Sequence, residues 1–486
     1  MVLFIYIEKK GYIMNLFKLG KFNKTNKLIA MIMDIGLVLL GFYISYLVKF
    51  DFDIPKRNIE PFIDLLPIIA LFTVMFFDLY GLLSIRKKSS LETLLSLSIS
   101  LAMISLASMA VTFIFRGFAF PRTVFILAYI FQLILLGIWR LFLIDVVKRF
   151  HGIKEILIIG EKENINNIAK KVLNNRKWYT IKYLYYKGID RKLYKYINKV
   201  DAVIISTDIE YKDRLNIIKN AQRRNKEVFL IPNLQDMFIL KSKIEEFDDI
   251  LTFKISPMEL TLEQRIVKRF IDITISAIGL IIASPILLIV AIAIKIDSKG
   301  PILYKQIRIT FNNKEFNIYK FRSMVQNAEK TTGPVLSDKE DPRITSVGRF
   351  LRSTRIDEIP QLINVLKGDM SIVGPRPERP FFVEKFANID PDYKYRMNVK
   401  AGITGLAQIQ GKYASSFEEK LKFDLMYIRN YNLLEDIIII FQTIVVVFIK
   451  DKSEGIIEKD LENVLEEVGL ESDFKKGVTK IKEEKE

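Results

Sequence analysis

The segment Phe270–Ile294 reads FIDITISAIGLIIASPILLIVAIAI, and the way it meets a bilayer decides the architecture of the chain. It is longer than the ~20 apolar residues a spanning helix needs. Ser284-Pro285 stands near its centre. A proline there removes a helix hydrogen bond, and its ring clashes with the preceding turn. The expectation is helix–break–helix: two half-length arms that dip into one leaflet and return, in place of a kinked spanning helix. Basic residues on both flanks favour the dip, Lys254, Arg265, Lys268 and Arg269 before it and Lys295, Lys299, Lys305 and Arg308 after it. A span would put everything downstream outside the cell, whereas a dip keeps it inside.

Four more apolar segments lie upstream, near 28–48, 62–83, 92–115 and 123–146, each close to spanning length. The basic N-terminus (Lys9 to Lys27), Arg86-Lys87-Lys88 and Lys148-Arg149 read as cytoplasmic, and the 49–60 and 116–122 loops as external. Asp34, Asp78 and Arg140 fall within or at the ends of these helices and read as helix ends or packing contacts.

Residues 152–235 alternate short buried strands (155–160, 201–206, 227–232) with helical stretches, the pattern of a parallel sheet. Gly160 is followed by Glu161, Lys162 and Glu163, so the G-x-G-x-x-G phosphate loop is missing and a structural or regulatory role is favoured over nucleotide binding. Downstream of the apolar segment, 303–309 and 315–321 alternate as strands around Asn312-Asn313. A helix is expected at 417–431 and an interfacial or buried helix at 437–449. The fold class is therefore an α+β membrane protein. It has a basic segment 1–27, a four-helix transmembrane bundle 28–150, a small Rossmann-like α/β domain 151–240 and a membrane-embedded α/β domain 241–450 with a re-entrant segment 270–295. A charged tail, 451–486, reads as a solvated helix or partly disordered.

Composition narrows the chemistry. The net charge is +17, with no cysteine and one histidine, His151. Disulfides, thiolate nucleophiles and cysteine-ligated metals are excluded, and a catalytic histidine is disfavoured. The basic excess, beside long apolar segments, suits an anionic membrane surface and not nucleic acid.

The charged groups converge in DPRITSVGRFLRSTRIDEIPQLINVLKGDMSIVGPRP, Asp341–Pro377. Adjacent carboxylates, Asp357 and Glu358, follow Arg343, Arg349, Arg352 and Arg355. Ile356, Ile359, Ile363 and Leu366 share one helical face, so 354–368 reads as a single helix, with Thr354 and Asp357 as a capping box and Gly368 as its stop. The carboxylates then sit in its first turn, where the helix dipole and the arginines favour ionisation. Plain capping with surface salt bridges is the bland alternative. The excess of arginines, the stiff Pro375-Arg376-Pro377 turn and the neighbouring apolar segment argue for a site for phosphate esters and a divalent metal.

The runs KFRSM (320–324), DPRITSVGRFLR (341–352), IDEIPQLINVLKGDMSIVGPRPE (356–378) and GITGLAQIQG (402–411) resemble the bacterial polyprenyl-phosphate sugar-1-phosphate transferases over about 265–450. The four helices and α/β domain resemble the long-form members, undecaprenyl-phosphate galactose or glucose phosphotransferases. The resemblance implies transfer of a sugar-1-phosphate from a nucleoside-diphosphate sugar, a UDP-hexose, to polyprenyl phosphate. That reaction initiates exopolysaccharide, capsule or O-antigen synthesis at the cytoplasmic face of the inner membrane. It implies Asp357 as nucleophile and Glu358 with Asp357 at Mg²⁺. Arg376, Arg352, Lys320 and Arg322 would bind phosphate, Ser284-Pro285 would form the re-entrant break, and Asp424 would contribute in the following helix. For the long form it also implies a homodimer. Two other classes compete: a membrane scaffold or regulator with a nucleotide-sensing α/β domain, and a sugar-nucleotide oxidoreductase. The intact Asp-Glu pair and Pro-Arg-Pro turn speak against the first, and the missing glycine loop against the second.

Overall fold

The computed structural model describes residues 24–84, 90–114, 121–173, 178–186, 189–325, 341, 343–411, 416–448, 461–466, 470–475 and 477–483. The N-terminal segment and the Arg86–Lys88 loop lie outside these residues, as does most of the 116–122 loop. The chain forms two compact units, 1–232 with 457–486, and 233–456.

The first unit begins with four apolar helices, α1 (Lys24–Lys49), α2 (Lys56–Leu79), α3 (Ser90–Ile114) and α4 (Arg122–His151). Each is long and apolar enough to cross a bilayer. Gly41 lets α1 approach α4, since a β-carbon there would meet Gln132 Cγ at 2.5 Å, and Gln132 Nε2 donates to Val38 O at 2.9 Å. Asp34 and Arg140 are packing contacts, as expected, but they also form a pair: both are buried, with Arg140 Nη2 2.5 Å from Asp34 Oδ2. Trp139 Nε1 donates to Asp34 Oδ1, and Arg140 Nη1 donates to Leu82 O. A charge in the apolar phase is tolerable only when paired and hydrogen-bonded in this way.

The α/β part contains β1 (Lys154–Ile159), α5 (Lys162–Leu173), β2 (Tyr179–Tyr185), α6 (Leu193–Ile197), β3 (Ala202–Ile205), α7 (Tyr211–Arg223) and β4 (Glu227–Leu230). β2, β1, β3 and β4 are parallel neighbours in that order. The three expected strands are present within two residues of their expected ends, and β2 is an addition to them.

The second unit holds α8 (Leu234–Ile239), the hairpin β5 (Lys243–Phe247) and β6 (Ile250–Lys254), α9 (Leu262–Asp297), and the hairpin β7 (Leu303–Ile309) and β8 (Glu315–Phe321). It continues with α10 (Ser346–Thr354), α11 (Gln361–Lys367), β9 (Ser371–Val373), α12 (Pro380–Ile389), β10 (Gly402–Thr404), α13 (Leu406–Gln410), α14 (Phe417–Asn430) and α15 (Leu433–Phe448). Contacts assign α8 to this unit: Met237 packs with Tyr393, Leu421 and Leu425.

α9 corrects the expected helix–break–helix, because Pro285 lies inside one continuous helix. Thr261 and Gln264 cap its start with a reciprocal capping box. Both ends are fastened to the same unit. Near the start, Lys268 Nζ reaches Asp436 Oδ2 at 2.6 Å, and Asp272 Oδ1 accepts from Ser371 Oγ and Ile372 N. Toward the end, Val290 and Ile294 pack with Phe321 and Leu351. The middle bears exposed side chains, Ile281 and Ile282 at 72%.

The tail is also a correction. Its described residues form α16 (Leu461–Glu466), β11 (Leu470–Lys475) and β12 (Val478–Glu483). β12 pairs antiparallel with β2, and Leu461 and Leu465 bury against Ile165 and Ala169 of α5. Mixed Lys and Glu disguise the strands, yet Val478 and Ile481, three residues apart, are buried in the two separate cores that flank the sheet.

Candidate active site

The carboxylate pair does not sit in the first turn of one long helix. α10 is capped by Thr345, whose Oγ1 accepts from Gly348 N, and it ends where Arg355 turns left-handed at φ 57°. Asp357 and Glu358 occupy a single 3₁₀ turn, Ile356–Glu358, and α11 starts only after Pro360. Proline has no N–H for an α-helical bond to Ile356, and its ring would clash with that carbonyl. The capping box is absent; Thr354 Oγ1 donates back to Phe350 O at 2.8 Å. Gly368, at φ 90°, does stop α11 as expected.

Three side-chain contacts build the pocket. Gly348 permits α10 to lie on the end of β8, since a β-carbon there would fall 2.0 Å from Ser323 O. One turn later Arg352 Nε donates to Ser323 Oγ at 2.9 Å. Asn364, fully buried, accepts from Tyr319 N and donates to Asn317 O, pinning α11 to β8. That register sets Lys320 Nζ 2.8 Å from Glu358 Oε1.

Arg376 Nη2 reaches the same oxygen at 3.0 Å. Its turn is clamped from behind. Arg396 Nη2 donates to Arg376 O at 2.9 Å, and Arg308 Nη1 donates to Pro377 O at 3.0 Å. Arg396 is in turn held by Asp424, Nε to Oδ2 at 3.0 Å, and by Tyr393 Oη. The glycines of Gly402–Gly405 bring β10 against Gly374: Gly374 N donates to Thr404 O and Gly402 N to Pro375 O. A β-carbon on Gly402 would lie 2.1 Å from Gly374 N.

Of the expected site residues, the structure brings together Asp357, Glu358, Lys320 and Arg376. Arg352 lies close enough to favour the Asp357 anion. Asp424 acts at one remove, through Arg396. Arg322 is a correction: it is buried and caps the C-terminus of α9, donating to Ser298 O at 2.7 Å and to Lys299 O at 3.1 Å. Lys320, two residues earlier, reaches the carboxylates instead, because β8 ends at Phe321 and its alternation does not carry through to Arg322. Sequence reading missed Asn364, Arg396 and Arg308. The only local signal for Arg396 was a basic residue amid the aromatic Tyr393 and Tyr395.

The electrostatics split the pair. Burial and the adjacent Glu358 raise the Asp357 carboxyl to about 6. Burial opposes the Glu358 anion too, but Lys320 and Arg376 outweigh it and hold that carboxyl well below its ordinary value. Among the described residues no hydrogen bond reaches Asp357 or Glu358 Oε2. Adjacent carboxylate oxygens with spare lone pairs, one of them raised by repulsion, fit a divalent cation bound through one or two carboxylates plus substrate oxygens. No cluster of three or more acidic or imidazole ligands occurs among the described residues, so substrate or water would have to complete the coordination.

Long apolar helices together with a mixed α/β unit that carries a cation-flanked carboxylate pair mark a membrane-helix protein. Residues 263–450 match the family model described as bacterial sugar transferase. A shorter relative from Bacillus subtilis (strain 168), provisionally named an undecaprenyl-phosphate N-acetylgalactosaminyl 1-phosphate transferase, is 50% identical over 139 residues, 29% of this chain and 77% of its own length. The chain belongs to the bacterial sugar transferase family. It is also 36% identical over 265 residues, 53% of its length, to the UDP-glucose:undecaprenyl-phosphate glucose-1-phosphate transferase of Klebsiella pneumoniae, covering 54% of that protein. With the UDP-N-acetylgalactosamine-undecaprenyl-phosphate N-acetylgalactosaminephosphotransferase of Aeromonas hydrophila it shares 44% over 181 residues, 37% of this chain and 43% of the relative. The chain thus spans about half the length of these longer relatives.

Proposed function

We propose that the protein transfers a sugar-1-phosphate from a nucleoside-diphosphate sugar, a UDP-hexose, to polyprenyl phosphate at the cytoplasmic face of the bacterial inner membrane. The observation that carries this is the Asp357–Glu358 pair. Its cations converge on one oxygen of Glu358, and among the described residues no hydrogen bond reaches Asp357. Relatives are named for this transfer to undecaprenyl phosphate.

In the first step an Asp357 oxygen attacks the sugar-bearing phosphorus. The bond to the bridging oxygen breaks, and the nucleoside monophosphate leaves with the electron pair. In the second step an oxygen of the lipid phosphate attacks the same phosphorus, the Asp357–phosphorus bond breaks, and the lipid diphosphate sugar is released. Arg376 and Lys320 hold Glu358 ionised and lie beside the phosphate being transferred. Mg²⁺, held by Asp357, Glu358 and substrate oxygens, would neutralise charge between the two anions. A carboxyl near 6 supplies the anion at neutral pH and is a better nucleophile than one at its ordinary value.

The fastening of α9 supports a dip in place of a span, with the helix staying continuous and bending at Pro285, where one helix hydrogen bond is missing. A straight helix of its length would measure about 54 Å, more than the ~30 Å hydrocarbon core. Yet both ends are bonded to one unit, and a crossing helix would have to place that unit on two sides of the membrane at once. Cysteine substitutions at Arg269 and Lys299 should both be labelled from the cytoplasmic side; labelling of Lys299→Cys from outside would refute the dip. The function is tested with membranes, polyprenyl phosphate, Mg²⁺ and a panel of UDP-sugars, following UMP release. One sugar should support release in wild type and none in Asp357→Asn; undiminished release by Asp357→Asn would refute the mechanism.

A further inference from the structure

The base of α9 gathers positive charge that the reaction above does not use. Arg269 immediately precedes the exposed apolar run, and its guanidinium donates to Val365 O at 2.5 Å and Leu366 O at 2.8 Å at the end of α11. Gly368 follows, and its missing side chain makes room for two cations. A β-carbon there would lie 3.4 Å from Arg269 Nη2 and 3.6 Å from Lys400 Nζ, so the two nitrogens are no further apart than the sum of those distances. Lys400 is half-buried; burial, and then the Arg269 guanidinium, push its ammonium below the ordinary value, and Lys314 adds a third positive charge.

Other cations on this part of α9 have carboxylate partners: Arg265 pairs with Glu259 and Lys268 with Asp436. Among the described residues Arg269, Lys314 and Lys400 have none. The nearby carboxylates are Asp272 and Asp369, and Asp272 is engaged by Ser371 and Ile372. Arg269 spends its Nη atoms on the α11 carbonyls, but among the described residues its Nε and Lys400 Nζ carry no hydrogen bond. Two converging cations with donors left over and no acidic partner form a seat for an anion. What carries that anion follows from position, because Phe270, one residue on, is exposed and apolar. The boundary between charged and apolar surface is where phospholipid phosphates lie.

We propose that Arg269 and Lys400 seat the phosphodiester of an anionic phospholipid at the point where α9 enters the apolar phase. This rests on the membrane placement of α9 and not on the transfer reaction. The seat and the carboxylate pair lie beyond opposite ends of α11, so a resident lipid would fix the depth of α9 without occupying the reaction centre.

The test uses the full chain in detergent, with lipid retention read by native mass spectrometry after addition of phosphatidylglycerol, phosphatidylcholine or inorganic phosphate. Phosphatidylglycerol should be retained, phosphatidylcholine should not, and inorganic phosphate should not displace it. Lys400→Gln should weaken retention about five- to tenfold and Lys400→Arg should preserve it, the scale expected for one lysine at a membrane surface. Lys314→Gln, an exposed position whose loss leaves packing intact, should weaken it about twofold. Unchanged retention in both glutamine variants, or displacement by inorganic phosphate, overturns the proposal. UMP release by the same preparations is scored separately, so a failed transfer reaction would leave the lipid result standing.

Discussion

Two places in this chain put carboxylates where a helix begins, with opposite fates. In the α/β domain Asp208 follows the end of β3 and reaches the start of α5. It accepts from Glu161 N at 2.6 Å and Asn164 Nδ2 at 3.0 Å. This is the crevice beyond the strand ends, between β1 and β3, where open parallel sheets bind phosphates. The chain's own carboxylate is there, and it is spent on the chain's own donors. In the second unit Asp357 and Glu358 precede α11, but Pro360 and the left-handed Arg355 keep them in a separate tight turn. There the donors are side-chain cations, and lone pairs remain. A carboxylate spent on a backbone amide and a side-chain amide is a cap; one crowded by cations keeps lone pairs to offer.

Substitutions can break that contrast. The largest effect is expected for Asp357→Asn, a fall in UMP release of at least about 10³-fold, as for loss of a nucleophile. The same change should stabilise the fold. A carboxyl raised to about 6 binds its proton more tightly folded than unfolded, so its stabilising contribution is full below about 4 and lost as pH rises through 6. Removing the charge should therefore stabilise the fold at pH 7.5 by on the order of 3 kcal/mol, read as a raised melting temperature. Arg376→Gln should cost about 10²-fold in kcat, the scale of one electrostatic contact to the transition state. Asp424→Asn should cost about tenfold, because Arg396 would lose its anchor and the Arg376 carbonyl its clamp. Restoring a carboxylate with Asp424→Glu should recover part of that loss.

The pH profile sharpens the same comparison. kcat/KM should rise with pH through a limb near 6 as Asp357 ionises. In Glu358→Gln any residual activity should show that limb at lower pH, since the repelling neighbour is gone; a limb that stays put would remove Glu358 as a cause. The smallest effect belongs to the other carboxylate. Asp208→Ala should lower stability by about 1–2 kcal/mol through two lost hydrogen bonds and leave UMP release unchanged. A loss of transfer would show that the crevice serves the reaction.

Much of this was legible in local sequence. The alternation at 303–309 and 315–321 gave both strands to the residue, because period and turn chemistry are local. Apolar length gave the long helices. The carboxylate pair with Lys320 and Arg376 was recognisable from residue type, although not the turn that holds it, since a left-handed arginine carries no sequence signal. Long-range choices were hidden. Arg322 and Arg376 are the same residue type, and only the fold shows one spent on carbonyls and the other on Glu358. Asp34 and Arg140 are 106 residues apart and meet only when α1 packs on α4. β2, YTIKYLY, escaped notice because a lysine interrupts its apolar run, and β12 because it borrows its partner from the far end of the chain.

That borrowing sets a timetable for synthesis. Tyr185 pairs with Val478, so the edge of the sheet waits for 293 further residues before it is covered. At roughly 5–20 residues per second, an open strand edge faces the ribosome's surroundings for about 15 to 60 s. The whole second unit emerges during that interval. The tail then acts as a closing stitch, sealing the earlier unit only once the later one has been translated.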